Sequence, residues 1–293
     1  QRMSFATLLQ AVISGLLLGG IYALVAMSLA LVFGVMRVLN FAHGDLLMAG
    51  MYGIVILNHT FGINPYAAII LVAPVLALIG IAVYFVLIRR VLGAGPLMQA
   101  QVTLGLSFAI QSTALLVFGA DLLNVRTSLD GAAFRIAGVV VGKPELIGFL
   151  ISIVVCAALT WFILSTEFGR RLRAVAQDPT MAILCGIPVR SVQMMVFVGC
   201  TALLAVPAGC LMAFSQLTPT AGIQYSLLSL MVVVLGGLGD LRGAFVGGLL
   251  IGIVEAVTSA LFNNPAAPGI IYLVFGLALL ARPRGLFGRG SEA

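Results

Sequence analysis

The chain has 293 residues, of which 62% are hydrophobic and only 8% are charged, and its mean hydropathy is +1.21. Soluble domains contain about 45–50% apolar and about 25% charged residues, so this composition excludes an ordinary soluble domain and indicates several membrane spans. The net charge of +6 comes almost entirely from arginines that lie between apolar runs. Because the chain carries no basic or acidic tail, no nucleic-acid partner is expected.

Nine apolar segments follow one another along the chain. The second, seventh and ninth are short for a full crossing, so each is expected to be a half-helix or a re-entrant piece. We therefore predict an all-α, polytopic membrane helix bundle with about 8–10 transmembrane segments, some broken or re-entrant. The bundle forms one transmembrane domain over residues 1–293, and its segments are 8–36, 46–57, 66–88, 97–118, 146–164, 192–214, 227–235, 244–262 and 270–281.

The cations predict the orientation of this domain. If all nine segments cross, alternate loops carry eleven cations on one side and four on the other, and cytoplasmic loops are the ones enriched in arginine and lysine. This puts an insert at about 165–191 and the C-terminus in the cytoplasm, and a loop at about 119–145 outside. The side of the N-terminus stays open, because one re-entrant segment near Leu46 would reverse it. The eleven are Arg37, Arg89, Arg90, Arg170, Arg171, Arg173, Arg190, Arg242, Arg282, Arg284 and Arg289, and the four are Arg2, Arg126, Arg135 and Lys143.

The first break in the apolar pattern is NFAHGD at residues 40–45. Lipid cannot satisfy the donors and acceptors of these residues, so they lie at an interface or line a cavity. Asp45 is placed to cap a helix that begins at Leu46. Two interpretations stay open: a capped cytoplasmic turn, or part of a gate on a translocation pathway built from Asn40, Phe41, His43, Gly44 and Asp45.

A polar stripe follows in the fourth segment, where Thr103, Ser107 and Gln111 recur every four residues. On a helix this spacing puts all three side chains on one face. The stripe is either a set of hydrogen bonds to neighbouring helices or a hydrated wall of the translocation pathway.

The arginine-rich insert from Gly169 to Arg190 contains the signals of a short helix. Asp178 is placed as N-cap, Pro179 stands at the first helical position, and Gly186 favours the left-handed conformation that ends a helix. Met181, Ile183 and Leu184 would be exposed to water unless they dock on a partner. The rival interpretation is an insert that lies on anionic lipid.

A second break, LGGLGDLRG at residues 235–243, contains Gly-Asp-Leu, as does the first break at residues 44–46. This match predicts a counterpart of the first break, and paired broken segments often form the central site of a transporter. Gly236, Gly237, Gly239 and Asp240 are therefore candidate gate residues. Glycines spaced four apart in the first and eighth segments predict close helix packing. Glu255 is the one acid well inside an apolar run, so it either pairs structurally or lines the pathway.

The chain lacks the common catalytic motifs. It contains no GxxxxGK[ST], HExxH, GxSxG or CxxC set, and no nucleophile can be matched with a base. We therefore expect a non-catalytic protein that holds no cofactor and no metal.

Four stretches in register carry a family resemblance. They are NFAHGDLLMAG (40–50), TLGLSFAIQ (103–111), GRRLRAVAQDPTMAILCGI (169–187) and LGGLGDLRGAFVGGLLIGIVEA (235–256). From about Leu16 to Gly285 the chain closely resembles the permease subunits of bacterial ABC importers for branched-chain amino acids.

The resemblance implies a protein of the bacterial cytoplasmic (inner) membrane with several partners. These are cytoplasmic ATP-binding subunits, a second permease subunit (identical or not) and a periplasmic substrate-binding protein. The insert is similar to the coupling helix that seats in a cleft of the ATP-binding subunit, and its matching positions are Gly169, Arg171, Arg173, Ala174, Asp178, Ala182, Gly186 and Ile187. Arg170, Met181 and Leu184 complete the predicted coupling surface.

The expected function is the ATP-driven import of branched-chain or other hydrophobic amino acids through a pathway formed in part by this chain. Two alternatives stay open. One is a permease subunit of a related importer for urea or short amides, and the other is a channel or facilitator that works without partners.

Overall fold

The computed structural model describes residues 5–125, 127, 133–136, 139–262, 267–281 and 285–287. Within them the chain is almost entirely helical, as expected for a bundle whose backbone groups must be satisfied within lipid. The one sheet in the described part of the chain is a hairpin of β1 (Ala133–Ile136) and β2 (Val139–Gly142). The helices are α1 (Phe5–Met36), α2 (His43–Phe61), α3 (Pro65–Val83), α4 (Arg89–Val91), α5 (Pro96–Phe118), α6 (Lys143–Ser165), α7 (Glu167–Gln177), α8 (Pro179–Leu184), α9 (Val189–Leu203), α10 (Ala205–Met212), α11 (Ala221–Gly236), α12 (Leu241–Phe262) and α13 (Ala267–Ala281).

Six helical stretches in the described part of the chain are long and apolar enough to cross a membrane. Two of them are composite, since α3 continues through a π-helical turn (Tyr84–Ile88) into α4, and α9 continues into α10. The second, seventh and ninth predicted segments correspond to α2, α11 and α13, and none of these three is among the six stretches. The prediction of a polytopic α-helical membrane bundle with some incomplete crossings is confirmed.

Helix α1 lies at the centre of the bundle, which explains why its sequence is apolar on every side. Its most extensive contact is with the antiparallel α12. A Cβ added to Gly15 would lie 2.6 Å from the Gly252 carbonyl oxygen, and one added to Gly19 would lie 2.9 Å from that of Gly248. The close packing predicted from the glycine spacing is therefore confirmed for this pair of helices.

The two ends of the bundle are distinct. At one end, here called the hairpin end, the Gln10 side chain bonds the Val140 backbone, Leu123 pairs with Leu217, and the Tyr66 hydroxyl donates to the Pro144 oxygen. The opposite end, here called the insert end, holds the end of α1, helices α7 and α8, and residues 285–287, which bond the end of α11. The arginine-rich insert and residues 285–287 therefore lie at the same end.

Helices α2 and α11 both begin inside the bundle. After α1 ends, Arg37 adopts a left-handed backbone conformation with φ of 51°, and the chain turns back until His43 lies against Ser28. Ser28 is eight residues before the end of α1, which corresponds to a depth of about 12 Å at 1.5 Å per residue. Helix α11 begins four residues after Leu217 of the hairpin end, and its first turn meets the first turn of α2.

Candidate functional site

A buried polar cluster occupies the point where α2 begins. The Asp45 carboxylate (Oδ1) accepts a hydrogen bond from Gln111 Nε2 at 2.8 Å, and the same amide nitrogen lies 2.9 Å from Ser107 Oγ. Thr103 Oγ1 lies 3.2 Å from the Leu39 carbonyl oxygen. The predicted stripe on α5 therefore faces the first break, although the sequence indicated no link between them.

The backbones of α2 and α11 touch within this cluster. The Gly44 amide donates to Ser226 Oγ at 2.8 Å, and a Cβ on Gly44 would collide with the Ser226 nitrogen and the Gly222 oxygen. A Cβ on Gly222 would in turn collide with the Asp45 carboxylate. Two helix N-termini, each the positive end of a helix dipole, thus meet beside one buried carboxylate.

His43 connects the first break to α1, and Asn40 bonds a backbone amide within the break itself. The Ser28 hydroxyl donates to the Val25 oxygen at 2.7 Å, so its oxygen is left to accept from His43 Nε2 at 2.8 Å. Asn40 Oδ1 accepts from the Ala42 amide at 3.1 Å. Asn40, His43 and Asp45 are all buried, and Phe41 is half-buried.

Two interpretations of the first break are corrected by this geometry. Asp45 does not cap a helix, because α2 begins at His43 with Ala42 as N-cap and without a side-chain cap. The polar residues of the break also do not lie at an exposed surface turn, since they are buried against α1, α5 and α11. Among the described buried atoms, Asn40 Nδ2 and Asp45 Oδ2 have no hydrogen-bond partner, so the cluster keeps one spare donor and one spare acceptor.

The second break lies at the insert end, away from this cluster. Helix α11 ends at Gly236, and Gly237 and Gly239 have φ values of 111° and 83°, a conformation that favours glycine. Asp240 Oδ1 accepts from the backbone nitrogens of Arg242 at 2.8 Å and Gly243 at 2.9 Å, and so caps α12. The predicted equivalence of the two breaks is therefore wrong.

Glu255 also lies apart from the central cluster. It is on α12 beside Tyr22 and Tyr225, and the neighbouring Ala256 packs on Gly15 of α1. Gly15 is five residues from Gln10, which bonds the hairpin, so Glu255 is nearer the hairpin end than the middle of the bundle. Its Oε2 has no partner among the described atoms.

The insert forms two helices rather than one. Thr166 caps α7 by accepting from the Gly169 amide at 3.1 Å, and Leu172 and Val175 bury the inner face of α7 while Arg170 and Arg171 stay exposed near Glu167. A Cβ on Gly169 would strike the Ile163 carbonyl, so the insert lies tightly on the end of α6.

Helix α8 has both predicted caps. Asp178 Oδ1 accepts from the amides of Thr180 at 2.8 Å and Met181 at 3.1 Å. At the other end Gly186 has φ of 77°, its amide bonds the Ile183 oxygen, and the Ile187 amide bonds the Ala182 oxygen. These paired bonds are the Schellman motif, and they confirm the predicted helix signals.

The side chains of the insert divide into two groups. Met181, Ile183 and Leu184 are 60%, 61% and 76% exposed. Ala182, one of the positions that match the coupling helix, is instead buried against its own chain at 3% exposure. Arg173 is half-buried and donates to the Ile163 oxygen, while Ala174 is half-buried on α7.

Comparison with known proteins identifies the family. Residues 11–282 match the family described as the permease component of branched-chain amino acid transport systems. The chain belongs to this family. It is 31% identical to the high-affinity branched-chain amino acid permease protein BraD of Pseudomonas aeruginosa, over 96% of both chains. It is also 30% identical to LivH of Escherichia coli K12, over 97% of both.

A solved structure supports the fold alone. A chain of PsaBC from Streptococcus pneumoniae, solved in complex with a Fab, superposes with a TM-score of 0.53 at 16% identity, covering 96% of this chain and 94% of that one. The family match and the two relatives, by contrast, identify the protein as a multi-pass inner-membrane permease, the translocation subunit of an ABC importer.

Three contributors to the central cluster were missed from the sequence. Ser28 lies in the first apolar run, where serine commonly bonds the preceding turn of its own helix, whereas Gly222 and Ser226 lie in the interval 215–226 between the sixth and seventh segments. Ser28 does so, and it also reaches His43. The available signal was the presence of small residues inside or beside long apolar segments, and that signal is too common to single out three positions.

Proposed function

We propose that this permease imports branched-chain or other hydrophobic amino acids, and that α8 couples it to a separate cytoplasmic ATP-binding subunit. The single observation that carries the coupling role is the exposure of Met181, Ile183 and Leu184 on a six-residue helix. Burial of each such side chain is worth about 1.5–3 kcal/mol before ordering costs. A short helix capped at both ends offers these side chains as one rigid body.

The orientation follows from the cations. The insert end carries Arg170 and Arg171 on the exposed face of α7, and a cytoplasmic insert with a cytoplasmic C-terminus agrees with the positive-inside rule. The hairpin end then faces the periplasm, where the substrate-binding protein docks.

The pathway passes the central cluster. Asp45 and Asn40 keep a spare acceptor and a spare donor there, which suits the transient passage of a zwitterionic amino acid. Exposed Gln101 on α5 and Gln224 on α11 flank this region. An amide side chain is disfavoured against hydrocarbon. The exposed sides of α5 and α11 that carry these glutamines therefore pack on the second permease subunit, whether identical or not.

Substitution of Leu184 by aspartate tests the coupling role. In the complex purified through a tag on the permease, we expect Leu184→Asp to remove most of the copurified ATPase and of the ATP-dependent amino-acid uptake, because the charge cannot be buried at the interface. Leu122→Asp is the matched control for copurification of the ATPase, since Leu122 is 62% exposed in the loop at the hairpin end, away from the insert. Stoichiometric ATPase with Leu184→Asp, together with normal uptake, contradicts the proposal.

A further inference from the structure

A large cavity opens at the insert end and is lined by three arginines from three elements. Its volume is about 740 Å³, and its walls include Arg37 after α1, Arg173 on α7 and Arg242 on α12. The cavity extends beside Leu31 and Thr160, about 7 Å inside the ends of α1 and α6 at 1.5 Å per residue. It therefore spans the boundary between the membrane surface and the hydrocarbon.

The charge of this cavity is unbalanced. Asp240 is the one acid among the described residues that line it, and its Oδ1 already caps α12. Within the described ranges none of the three arginines forms an ion pair, although Arg173 donates to the Ile163 oxygen. Three guanidinium groups against one carboxylate leave a net positive site of the kind that binds phosphate groups.

An apolar groove adjoins the cavity. It has a volume of about 370 Å³ and is lined by residues such as Leu159, Phe162, Gly199 and Leu203. Leu31, Ile163 and Leu172 line both the groove and the arginine cavity. The groove follows α6 and α9, both of which belong to predicted membrane spans, so a soluble subunit cannot reach most of it.

We propose that the cavity and groove together hold one anionic phospholipid. The lipid phosphate lies among Arg37, Arg173 and Arg242, and an acyl chain lies in the groove along α6 and α9. A basic pocket between helices that continues into an apolar channel matches both halves of such a lipid. The lipid then joins α1, α7 and α12 at the base of the coupling insert. Lipid binding at this site is a role additional to the transport role proposed above.

The arginines are tested by native mass spectrometry of the full-length permease in detergent. We expect phosphatidylglycerol to bind more tightly than phosphatidylcholine with identical acyl chains. The double substitution Arg37→Gln with Arg242→Gln should lower the affinity for phosphatidylglycerol about 30-fold, since each cation near the surface contributes about a fivefold change. Arg89→Gln with Arg90→Gln removes the same charge from two exposed arginines outside the cavity, and is expected to leave this affinity within about twofold.

The groove is tested separately by Gly199→Phe. A Cβ on Gly199 meets nothing within 4 Å, so the new ring fills the groove without disturbing the core, and phosphatidylglycerol binding should fall. Gly276→Phe on α13, where a Cβ also has open space, should leave binding unchanged. Equal binding of the two lipids, or insensitivity to both test variants, overturns the proposal. So does full displacement by millimolar inorganic phosphate, which indicates a site for a free anion, or by the ATPase subunit, which indicates a protein contact.

Discussion

The two Gly-Asp-Leu breaks have the same three residues and opposite structural roles. At the second break Asp240 bonds the amides two and three residues ahead of it, which is a local cap. At the first break Asp45 lies inside the first turn of α2, and its carboxylate reaches Gln111 on α5, 66 residues away. One aspartate therefore starts a helix, and the other connects helices in the interior.

The difference lies in where each break is placed in the bundle. The second break is at the insert end, where Asp240 lines an open cavity. The first break is buried where two helices start, and its backbone is in contact with α11. A substitution at the second break is therefore expected to change local helix stability, whereas one at the first break changes the assembly of the bundle and the pathway.

The largest expected effect is that of Gly44→Ala. The new Cβ meets backbone atoms of Gly222 and Ser226 that cannot rotate away, so we expect a loss of at least about 3 kcal/mol in the free energy of unfolding. Denaturation of the purified permease in detergent, with size-exclusion chromatography, measures this loss. Gly105→Ala on α5, where a Cβ has open space, serves as control and should be neutral or stabilising by about 0.5–1 kcal/mol. A Gly44→Ala protein as stable as wild type would show that α2 and α11 are not in close contact.

Asp45→Asn has the next largest expected effect, and it acts on transport rather than on stability. Asparagine keeps the shape of the side chain and an acceptor oxygen for Gln111 but not the negative charge, so ATP-dependent uptake should fall about tenfold or more while the yield of folded protein is kept. Asp240→Asn should transport normally, because asparagine caps a helix as well as aspartate does. Uptake in proteoliposomes separates the two variants, and equal uptake by both would remove the functional distinction between the breaks.

The smallest expected effect is that of Asp240→Ala. This change deletes the cap of α12 and should lower the free energy of unfolding by about 1 kcal/mol. The dependence of uptake on substrate concentration should be the same as in the wild type. Asp240→Asn is again the matched control and should be near neutral. If the alanine variant alters substrate affinity while its stability is unchanged, Asp240 takes part in the pathway and the two breaks are more alike than the structure indicates.

Local features of this fold could be predicted in detail. Asp178, Pro179 and Gly186 predicted the limits of α8, and the observed hydrogen bonds agree with that prediction. The glycines spaced four apart predicted close packing of the first and eighth segments, which the structure shows as the contact between α1 and α12. In each case the signal lies within a few residues of the structure that it predicts, because caps and helix faces depend on short-range geometry.

The central cluster could be predicted only in part. The stripe of Thr103, Ser107 and Gln111 and the polar break at residues 40–45 were both recognised as unusual, but nothing in the sequence joined them. The sequence placed Ala182 among the coupling positions and did not show that its side chain is buried, because a six-residue helix has too little pattern to define a buried side. The partners of a buried polar group are set by helices distant in sequence, and one sequence carries no record of which helices those are.

Composition and spacing alone determined that this chain lies in the membrane and which segments are helical, since hydropathy and capping are properties of neighbouring residues. Tertiary structure decided the depth of each break, the partner of Asp45 and the inward direction of Ala182. These depend on how α1, α5 and α11 pack together, and such packing is a property of the whole bundle because buried polar groups take whatever donors and acceptors the neighbouring helices bring to them.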